Sequence, residues 1–307
     1  MTVLLLLAAS PLAMLAGFRV LGVDGGRHTA SALALVPYAA LAGCVLGGLA
    51  LLLRRWWTGV VVSLLAIGLL VSLLPRAIPA EQPVAAGPTL RVLAVNLYYG
   101  QADAGRLAEL VRTHRVDVLS LLELTPEAVP HLAEAGLFAS LPHRVLRPRR
   151  SGAGSGLVSR YPLRELGLAK PSLLAQPSAR VTLPGGSRVE VVAVHPVPPT
   201  YSYQDWQDAL AGLPAADPAA AARILAGDFN ATLDHAAFRR LLGTGYRDAG
   251  EETGSGLEPT WPEGLFPPPV TIDHVLADQR LAVRDYRVFD VPGTDHDAVY
   301  TRLQLPA

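Results

Sequence analysis

The 307-residue sequence contains a single cysteine, Cys44. One cysteine cannot form an intrachain disulfide, and it excludes a zinc site built on several thiolates. Charged residues are also scarce: Asp, Glu, Lys and Arg make up 17% of the chain, with 26 basic and 26 acidic side chains, whereas 50% of the residues are hydrophobic. This balance excludes a disordered chain, a collagen-like chain and a histone-like polycation.

The few charges are unevenly distributed. The only charged residues in 1–74 are Arg19, Asp24, Arg27, Arg54 and Arg55. Residues 75–307 carry the other 22 basic and 25 acidic side chains, which gives this part a formal charge of −3. Proteins that bind nucleic acid mainly through phosphate contacts are basic, so the polar part is not expected to bind DNA tightly and nonspecifically.

Three apolar runs in residues 1–74 predict about three transmembrane helices, at about 3–21, 30–53 and 56–74. A bilayer core of ~30 Å needs about 20 helical residues, and the second and third runs reach that length without a charge. The first run reaches it only if Arg19 extends to the membrane surface. A cleaved signal peptide is the alternative for the first run, although no positively charged segment precedes it.

Residues 54–57 form a short basic and aromatic turn between the second and third runs. Loops of this kind usually stay in the cytoplasm. We therefore expect a multi-pass membrane protein with residues 75–307 outside the cytoplasm, although Arg19 and Arg27 on the opposite loop weaken the charge contrast. Residues 75–88 contain four prolines and predict an extended linker.

From residue 89 onward, strand-like runs alternate with helical patterns. Residues 90–95 and 116–122 are strand-like, and residues 104–114 between them place Leu107 and Leu110 on one helical face. The later strand candidates are residues 156–159, 180–183, 189–194, 224–226, 270–276, 282–289 and 299–303. The stretch 89–307 is long enough for one α/β domain with two sheets or one large sheet.

Several of these strands end in polar side chains. Asn96, Glu123 and His195 each follow a strand-like run, and Asp228 and Asn230 follow another. Strand ends are where α/β folds place their sites. Each residue alone has a structural explanation, such as a turn, a helix-entry charge, a core histidine or an Asx-turn. The prediction of a site therefore depends on their joint occurrence.

Two Asp-His pairs lie near the carboxyl terminus, Asp273-His274 and Asp295-His296. A carboxylate that accepts a hydrogen bond from an imidazole fixes its tautomer and stabilises its cationic form. The amide and carboxylate groups at the strand ends offer oxygen ligands, which suit Mg²⁺, Mn²⁺ or Ca²⁺. Together these features indicate a hydrolytic site with a hard metal ion.

Seven short segments between residues 89 and 305 combine apolar residues with the polar residues named above or with turn residues. They are VLAVN (92–96), LLEL (121–124), GLVSRYP (156–162), VHP (194–196), GDFN (227–230), IDHV (272–275) and TDH (294–296). With these segments in this order, the sequence resembles the endonuclease/exonuclease/phosphatase superfamily, which has the DNase I-like fold. The resemblance implies a four-layer α/β/β/α sandwich and metal-dependent hydrolysis of phosphoesters.

The resemblance also implies which residues bind the metal and the attacking water. Glu123 would be the principal Mg²⁺ ligand, with Asn96 beside it and Asp295 as a further ligand. Asp228 would orient or deprotonate the water, and Asn230 would hold a phosphate oxygen. These tasks match the needs of in-line displacement at phosphorus.

The implied roles of the histidines concern the phosphoryl group and the leaving oxygen. His296, oriented by Asp273, would stabilise the transferring phosphoryl group or act as an acid or base. His195 would hydrogen-bond the phosphate or assist the leaving group. The sequence departs from the family at Leu122, where Gln commonly precedes the metal-binding Glu, but the Glu itself is present.

The leading hypothesis is a membrane-anchored, Mg²⁺-dependent phosphodiesterase or nuclease that acts by in-line attack of water. One alternative is a hydrolase of phospholipids or other small phosphoesters, and another is a binding module that has lost its chemistry. The expected partners are the phosphoester substrate and the lipid bilayer, and no protein partner is predicted. Arg147, Arg149 and Arg150 form one basic cluster available for nucleic-acid contacts.

Overall fold

The amino-terminal part of the chain is helical. The computed structural model describes residues 2–264 and 266–307, with the backbone alone for residues 2–8. Its first four helices are α1 (Thr2–Leu21), α2 (Arg27–Leu33), α3 (Val36–Leu52) and α4 (Trp56–Leu73). A 3₁₀ turn, Leu74–Ala77, continues α4 toward the rest of the molecule.

The expectation of about three transmembrane helices is wrong in number for the described residues. Trp56–Ala77 alone is long and apolar enough to cross a membrane, and α2 with α3 qualifies only as a pair bent by 69°. Pro37 lies in the first turn of α3, where no helical hydrogen bond needs its missing N–H. In one helix continuous from α2, Pro37 would lie in the interior, where proline breaks or kinks a helix. The first expected span lies partly outside the described side chains, and Ala9–Leu21 is shorter than a crossing.

Twelve strands and six further helices follow in the part of the chain that the structure describes. The strands are β1 (Thr89–Asn96), β2 (Val118–Leu122), β3 (His143–Arg147), β4 (Ser155–Ser159), β5 (Leu163–Leu166), β6 (Ser178–Thr182), β7 (Arg188–Val194), β8 (Ala222–Asp228), β9 (Tyr246–Asp248), β10 (Asp273–Asp278), β11 (Ala282–Phe289) and β12 (Ala298–Gln304). They form two six-stranded sheets, ordered β11-β12-β1-β2-β4-β3 and β5-β6-β7-β8-β10-β9. The central pairs β1/β2 and β7/β8 are parallel.

The main core lies between the two sheets. Successive side chains of a strand point to opposite faces, and on β1 both faces are buried. Val92 and Ala94 pack between the sheets, while Leu93 and Val95 pack on the outer side. The Ser120 hydroxyl crosses from one sheet to the other and donates to a carbonyl of β8 at 2.8 Å.

Helices cover both outer faces. They are α5 (Ala104–Thr113), α6 (Ala128–Glu134) and α7 (Leu137–Ser140) on the first sheet, α8 (Tyr203–Ala211) and α9 (Ala236–Leu242) on the second, and the short α10 (Ala249–Glu252) near the edge strand β9. Asp103 accepts the N–H of Arg106 and so caps α5. The layers are α/β/β/α, which confirms the sandwich predicted from the sequence.

The helical part is attached to the second sheet's helix layer by buried charges. Asp234 accepts two hydrogen bonds from Arg76, at 2.8 and 2.7 Å, and lies 2.9 Å from a guanidinium nitrogen of Arg19. Asp24 accepts the N–H groups of Ala236 and Ala237 at the start of α9, at 2.6 and 2.9 Å. The helical part and the α/β part therefore share specific polar contacts, and both carboxylates in them have hydrogen-bond partners.

Residues 75–88, predicted as an extended linker, follow the surface of the α/β part. The N–H of Ala80 donates to the carbonyl of Glu252 at 3.0 Å, and the N–H of Gly87 donates to the carbonyl of Leu305 at 2.9 Å. These backbone contacts hold the connection in place along its length.

Candidate active site

The polar strand-end residues converge at one end of the sandwich. β1, β2, β7 and β8 all run toward this end, and β10 begins there, because Asp273 is the register partner of Asp228 in the antiparallel β8/β10 pair. The loop before β12 brings Asp295 and His296 to the same place. The structure therefore brings together all eight predicted residues, which are Asn96, Glu123, His195, Asp228, Asn230, Asp273, Asp295 and His296.

Glu123 and Asn96 form the side of the site that belongs to the first sheet. Glu123 has a left-handed backbone, φ 53°, and its Oε2 accepts the N–H of Tyr99 at 2.8 Å. The amide nitrogen of Asn96 donates to Glu123 and to Asp228, at 3.2 Å each. Its carbonyl oxygen, predicted beside the metal, accepts the N–H of Tyr98 at 3.0 Å instead. In this arrangement Asn96 links the two carboxylates as a donor.

Asp228 and Asn230 form the side that belongs to the second sheet. Burial, and then the nearby carboxylate of Asp273, raise the pKa of Asp228 to about 7. The N–H of Asn230 donates to Asp228 at 2.7 Å, and the Asn230 amide donates to the carbonyl of Pro196 at 3.0 Å. Asn230 also has a left-handed backbone, φ 48°, a conformation that asparagine adopts more readily than most residues.

Gly227 precedes Asp228 and cannot carry a side chain. Its φ is 155°, and a Cβ there would meet the carbonyl oxygen of Val194 on the neighbouring strand. This close approach of β7 and β8 sets the position from which Asp228 enters the site.

His296 is held by a buried carboxylate. Its Nδ1 lies 2.9 Å from Oδ2 of Asp273, and its Nε2 lies 3.9 Å from both Asp228 and Asp295. Burial lowers the pKa of His296, but the carboxylates, Asp273 foremost, outweigh it and raise the pKa to about 10. Thr260 fixes the start of β10 by accepting the N–H of Asp273 at 3.1 Å. The imidazole is therefore cationic at neutral pH.

His195, the second histidine of the site, is neutral. Burial, followed by the charge of His296, lowers its pKa to about 3. Its Nε2 lies 3.8 Å from Asp228 and 3.9 Å from Glu123. Its Nδ1 is buried and has no hydrogen-bond partner among the described residues. His195 can donate one N–H, but it carries no additional proton at neutral pH.

Sequence analysis assigned no site role to Trp261. Its indole N–H donates to Oδ2 of Asp295 at 2.9 Å, and its ring lies 6.2 Å from the ring of His296. An isolated antiparallel β-bridge between Trp261 and Val270 fixes the backbone of Trp261. A single tryptophan 34 positions from its acceptor carries no sequence signal for this contact.

His274, the other Asp-His histidine, points away from the site. It contacts Asp248 through Nδ1 at 2.8 Å and the carbonyl of Ala231 through Nε2 at 2.9 Å. The alternation of side chains along β10 separates it from its neighbour Asp273.

These residues line a cleft of about 700 Å³. Three carboxylates face it, those of Glu123, Asp228 and Asp295, and its described lining includes no lysine or arginine. Burial also raises the pKa of Glu123. The cleft therefore concentrates negative charge that one imidazolium, His296, does not balance.

The oxygen-rich lining fits a divalent cation. Oδ1 of Asp295 is buried without a hydrogen-bond partner among the described residues, and Glu123 offers a second carboxylate. Asp228, Asp273 and His296 also lie close enough to one another to hold an ion. However, Nδ1 of His296 is already engaged with Asp273, and its Nε2 lies 3.9 Å from Asp228. Glu123 and Asp295 are therefore the carboxylates that would hold an ion.

The sequence profile of the Endonuclease/Exonuclease/phosphatase family matches residues 93–296. The chain belongs to this family. Its members are metal-dependent enzymes that hydrolyse phosphoester bonds, and the chain is a phosphoester hydrolase of this class. Comparison with curated proteins finds no match.

Solved structures with this fold cover about 70% of the chain. An endonuclease/exonuclease/phosphatase from Beutenbergia cavernae is 20% identical, with a TM-score of 0.56 over 71% of this chain and 72% of the other. A family protein from Leptotrichia buccalis is 16% identical, with a TM-score of 0.53 over 70% and 100%. D. rerio TDP2 complexed with a single-strand DNA product is 17% identical, with a TM-score of 0.55 over 70% and 99%. At these identities the likeness concerns the fold.

Proposed function

We propose that the protein is a membrane-anchored, Mg²⁺-dependent phosphodiesterase that hydrolyses its substrate by in-line attack of water. One observation carries the proposal: Glu123, Asp228, Asp295 and His296 face a single cleft in which carboxylates outnumber cationic groups.

Glu123 and Asp295 are the proposed Mg²⁺ ligands, because both residues line the cleft and one oxygen of Asp295 lacks a hydrogen-bond partner among the described residues. When bound, the ion neutralises charge on the phosphoryl and leaving oxygens. Asn96 supports this site by donating to Glu123 and Asp228. Trp261 supports it by orienting Asp295. The sequence-based choice of Mg²⁺ over Mn²⁺ or Ca²⁺ stays a proposal.

Asp228 is the proposed base. Its pKa of about 7 lets the carboxylate accept a proton from water near neutral pH. Asn230 donates its N–H to Asp228 and so fixes the carboxylate. The Asn230 amide also lines the cleft, where it can donate to a phosphate oxygen.

His296 and His195 are the proposed donors to the phosphoryl group. The cationic His296, oriented through Nδ1 by Asp273, places its Nε2–H toward the cleft and favours the charge that develops on phosphoryl oxygens. His195 is neutral and contributes one N–H without transferring a proton. Water replaces the leaving alcohol on phosphorus, and the proton taken by Asp228 balances the proton that the alcohol gains from solvent.

The proposed organisation is a membrane part over 1–74, a linker over 75–88 and a catalytic domain over 89–307. The basic turn at residues 54–57 joins the far ends of α3 and α4, whereas Tyr38 and Arg76 at their near ends contact the α/β part. With that turn in the cytoplasm, the catalytic domain lies outside it. A reporter fused after Ala307 that is active only in the cytoplasm contradicts this orientation.

Nucleic acid, the first substrate hypothesis, has little support from the charges. The described lining of the cleft has no lysine or arginine. In the one basic cluster, Arg147 pairs with Glu165 and Arg149 donates to the carbonyl of Leu173. Contacts to several phosphates along a strand need more cationic groups than this.

The testing experiment uses the full chain in detergent. Wild type and His296→Ala are incubated with Mg²⁺ or EDTA and with bis(4-nitrophenyl) phosphate, DNA, RNA, a phospholipid and a nucleotide ester. We expect Mg²⁺-dependent hydrolysis of at least the chromogenic diester, lost with EDTA and reduced about 100-fold or more in the variant. A folded, metal-loaded sample that turns over none of these substrates favours the silent binding module instead.

A further inference from the structure

A second groove, of about 300 Å³, adjoins the catalytic cleft. It lies between α2 and the loops of the catalytic domain. The two cavities share five lining residues, so they form one continuous surface. The shared residues are Pro198, Thr200, Asn230, Trp261 and Ile272.

The lining of this groove differs from the cleft in polarity. One wall is Ala30, Ser31, Ala34 and Leu35, which belong to α2 and the bend before α3. The other walls are mainly proline and aliphatic side chains, from residues 198–199 and 267–272. The described lining includes no charged residue. Such a groove offers no charge to balance a phosphate, whereas it suits an apolar chain.

His235, the one ionisable group among the described lining residues of the groove, is also uncharged. Burial lowers the pKa of His235. Its Nδ1 accepts the N–H of Thr232 at 2.8 Å, and its Nε2–H donates to the carbonyl of Ala30 at 2.8 Å. The same hydrogen bond ties the α2 wall to the catalytic domain. The Tyr38 hydroxyl adds a second tie by donating to the carbonyl of Pro269 at 2.7 Å. The groove is therefore a formed feature of the fold.

We propose that this groove binds the apolar chain of an amphiphilic phosphoester, so that the substrate is a membrane lipid whose phosphate enters the catalytic cleft. The proposal rests on the proposed phosphodiesterase activity and names its substrate class. Two observations select a lipid chain: the groove is continuous with the cleft at Asn230 and Trp261, and its α2 wall is the start of the apolar α2–α3 pair. A lipid in the bilayer beside α3 reaches the cleft along this wall.

The test uses 4-nitrophenyl alkyl phosphates with methyl, hexyl and dodecyl groups, and the full chain in detergent with Mg²⁺. Each methylene that the groove buries strengthens binding by up to about fourfold. We expect KM to fall about 10-fold or more from methyl to dodecyl with little change in kcat, because the chain is bound equally in the ground state and the transition state.

Ser31→Trp fills the groove from its α2 wall, and His28→Trp is the matched control on an exposed part of the same helix. The ratio of dodecyl to methyl kcat/KM should approach 1 in Ser31→Trp and keep its wild-type value in His28→Trp. Partition of the substrate into micelles affects both variants alike. Equal ratios in the two variants overturn the proposal.

A second measurement needs no turnover. A phosphatidylglycerol with a diazirine at the end of one acyl chain is photolysed with the full chain in EDTA, and the labelled peptides are mapped. We expect label on residues 27–38, removed by unlabelled phosphatidylglycerol but not by glycerophosphoglycerol. Label spread over exposed α3 and α4 alone, with no competition, overturns the proposal.

Different results contradict the phosphodiesterase activity and the lipid substrate. Absence of Mg²⁺-dependent hydrolysis of the methyl ester contradicts the proposed function. Hydrolysis of the methyl ester with no dependence on chain length, or preferred hydrolysis of DNA, leaves that function standing and overturns the lipid substrate.

Discussion

Asp273 holds His296 through a 2.9 Å contact between Oδ2 and Nδ1, and both side chains are buried. This contact fixes the imidazole tautomer that presents Nε2–H to the cleft. Asp273→Asn removes the charge that sustains the imidazolium and is expected to lower kcat by about 100-fold or more, measured with bis(4-nitrophenyl) phosphate.

The matched control for that variant is Asp248→Asn. Asp248 makes a buried contact of similar length, 2.8 Å, with His274, the residue after Asp273, but on the face away from the cleft. Stability should fall in this variant, while kcat of the remaining folded enzyme stays near the wild-type value. Equal loss of kcat in both variants contradicts the separate roles given to the two pairs.

The Asp248–His274 pair predicts how stability depends on pH. Burial opposes the charge on His274, but Asp248 outweighs it and raises the pKa of His274 above its value in the unfolded chain. The resulting stabilisation is complete below the unfolded pKa of about 6.5 and is lost as pH rises through the higher folded pKa. The thermal midpoint of wild type should therefore exceed that of Asp248→Asn by more at pH 6 than at pH 9.5. A difference that grows with pH contradicts this sign.

Asp234 joins the helical part to the catalytic domain. In Asp234→Asn, the buried guanidinium group of Arg76 and the partly buried one of Arg19 lose their shared partner. We expect a loss of about 3–5 kcal/mol in the free energy of unfolding. The control is Glu109→Gln, which breaks the exposed pair with Arg106 and should cost less than about 1 kcal/mol. Denaturant unfolding of the full chain measures both, and equal costs contradict a structural role for the buried cluster.

Trp261→Phe keeps the aromatic ring and removes the N–H that donates to Asp295. Loss of a hydrogen bond to a metal ligand typically reduces metal affinity or activity by about 10–100-fold. The control is Trp206→Phe, since the indole N–H of Trp206 donates to the buried carbonyl of Phe229. We expect the apparent affinity for Mg²⁺ in the hydrolysis assay to fall only in Trp261→Phe. An unchanged affinity shows that Trp261 does not position Asp295.

The central strands could be predicted from the sequence because they are apolar and long. Residues 282–289 were expected as a strand and form β11, Ala282–Phe289. The edge strands β3, β5 and β9 were missed. His143–Arg147 alternates polar and apolar residues only weakly, and Tyr246–Asp248 has three residues. Edge strands are often short or polar, which leaves little hydrophobic pattern to detect.

Five members of the site could be predicted because they lie at or just after the end of a strand. Asp273, Asp295 and His296 could be predicted from the two Asp-His pairs and the family segments that contain them. The orientations of the side chains could not be predicted. The side-chain nitrogen of Asn96 faces the carboxylates, because its side-chain oxygen accepts the N–H of Tyr98. Similarly, the hydropathy of residues 30–53 predicted one straight span where the structure has α2 and α3. An apolar composition carries no information on the 69° bend between them. Both outcomes depend on tertiary contacts that local patterns do not contain.

The central claim is that side chains from both sheets act around one divalent cation held by Glu123. The most direct measurement is Mg²⁺ binding by calorimetry, together with turnover of bis(4-nitrophenyl) phosphate, for the full chain and for Glu123→Gln. The account predicts that wild type binds Mg²⁺ and turns over, and that the variant, which differs by one oxygen and a charge, loses both by about 10-fold or more. Wild-type Mg²⁺ affinity and turnover in Glu123→Gln would contradict it.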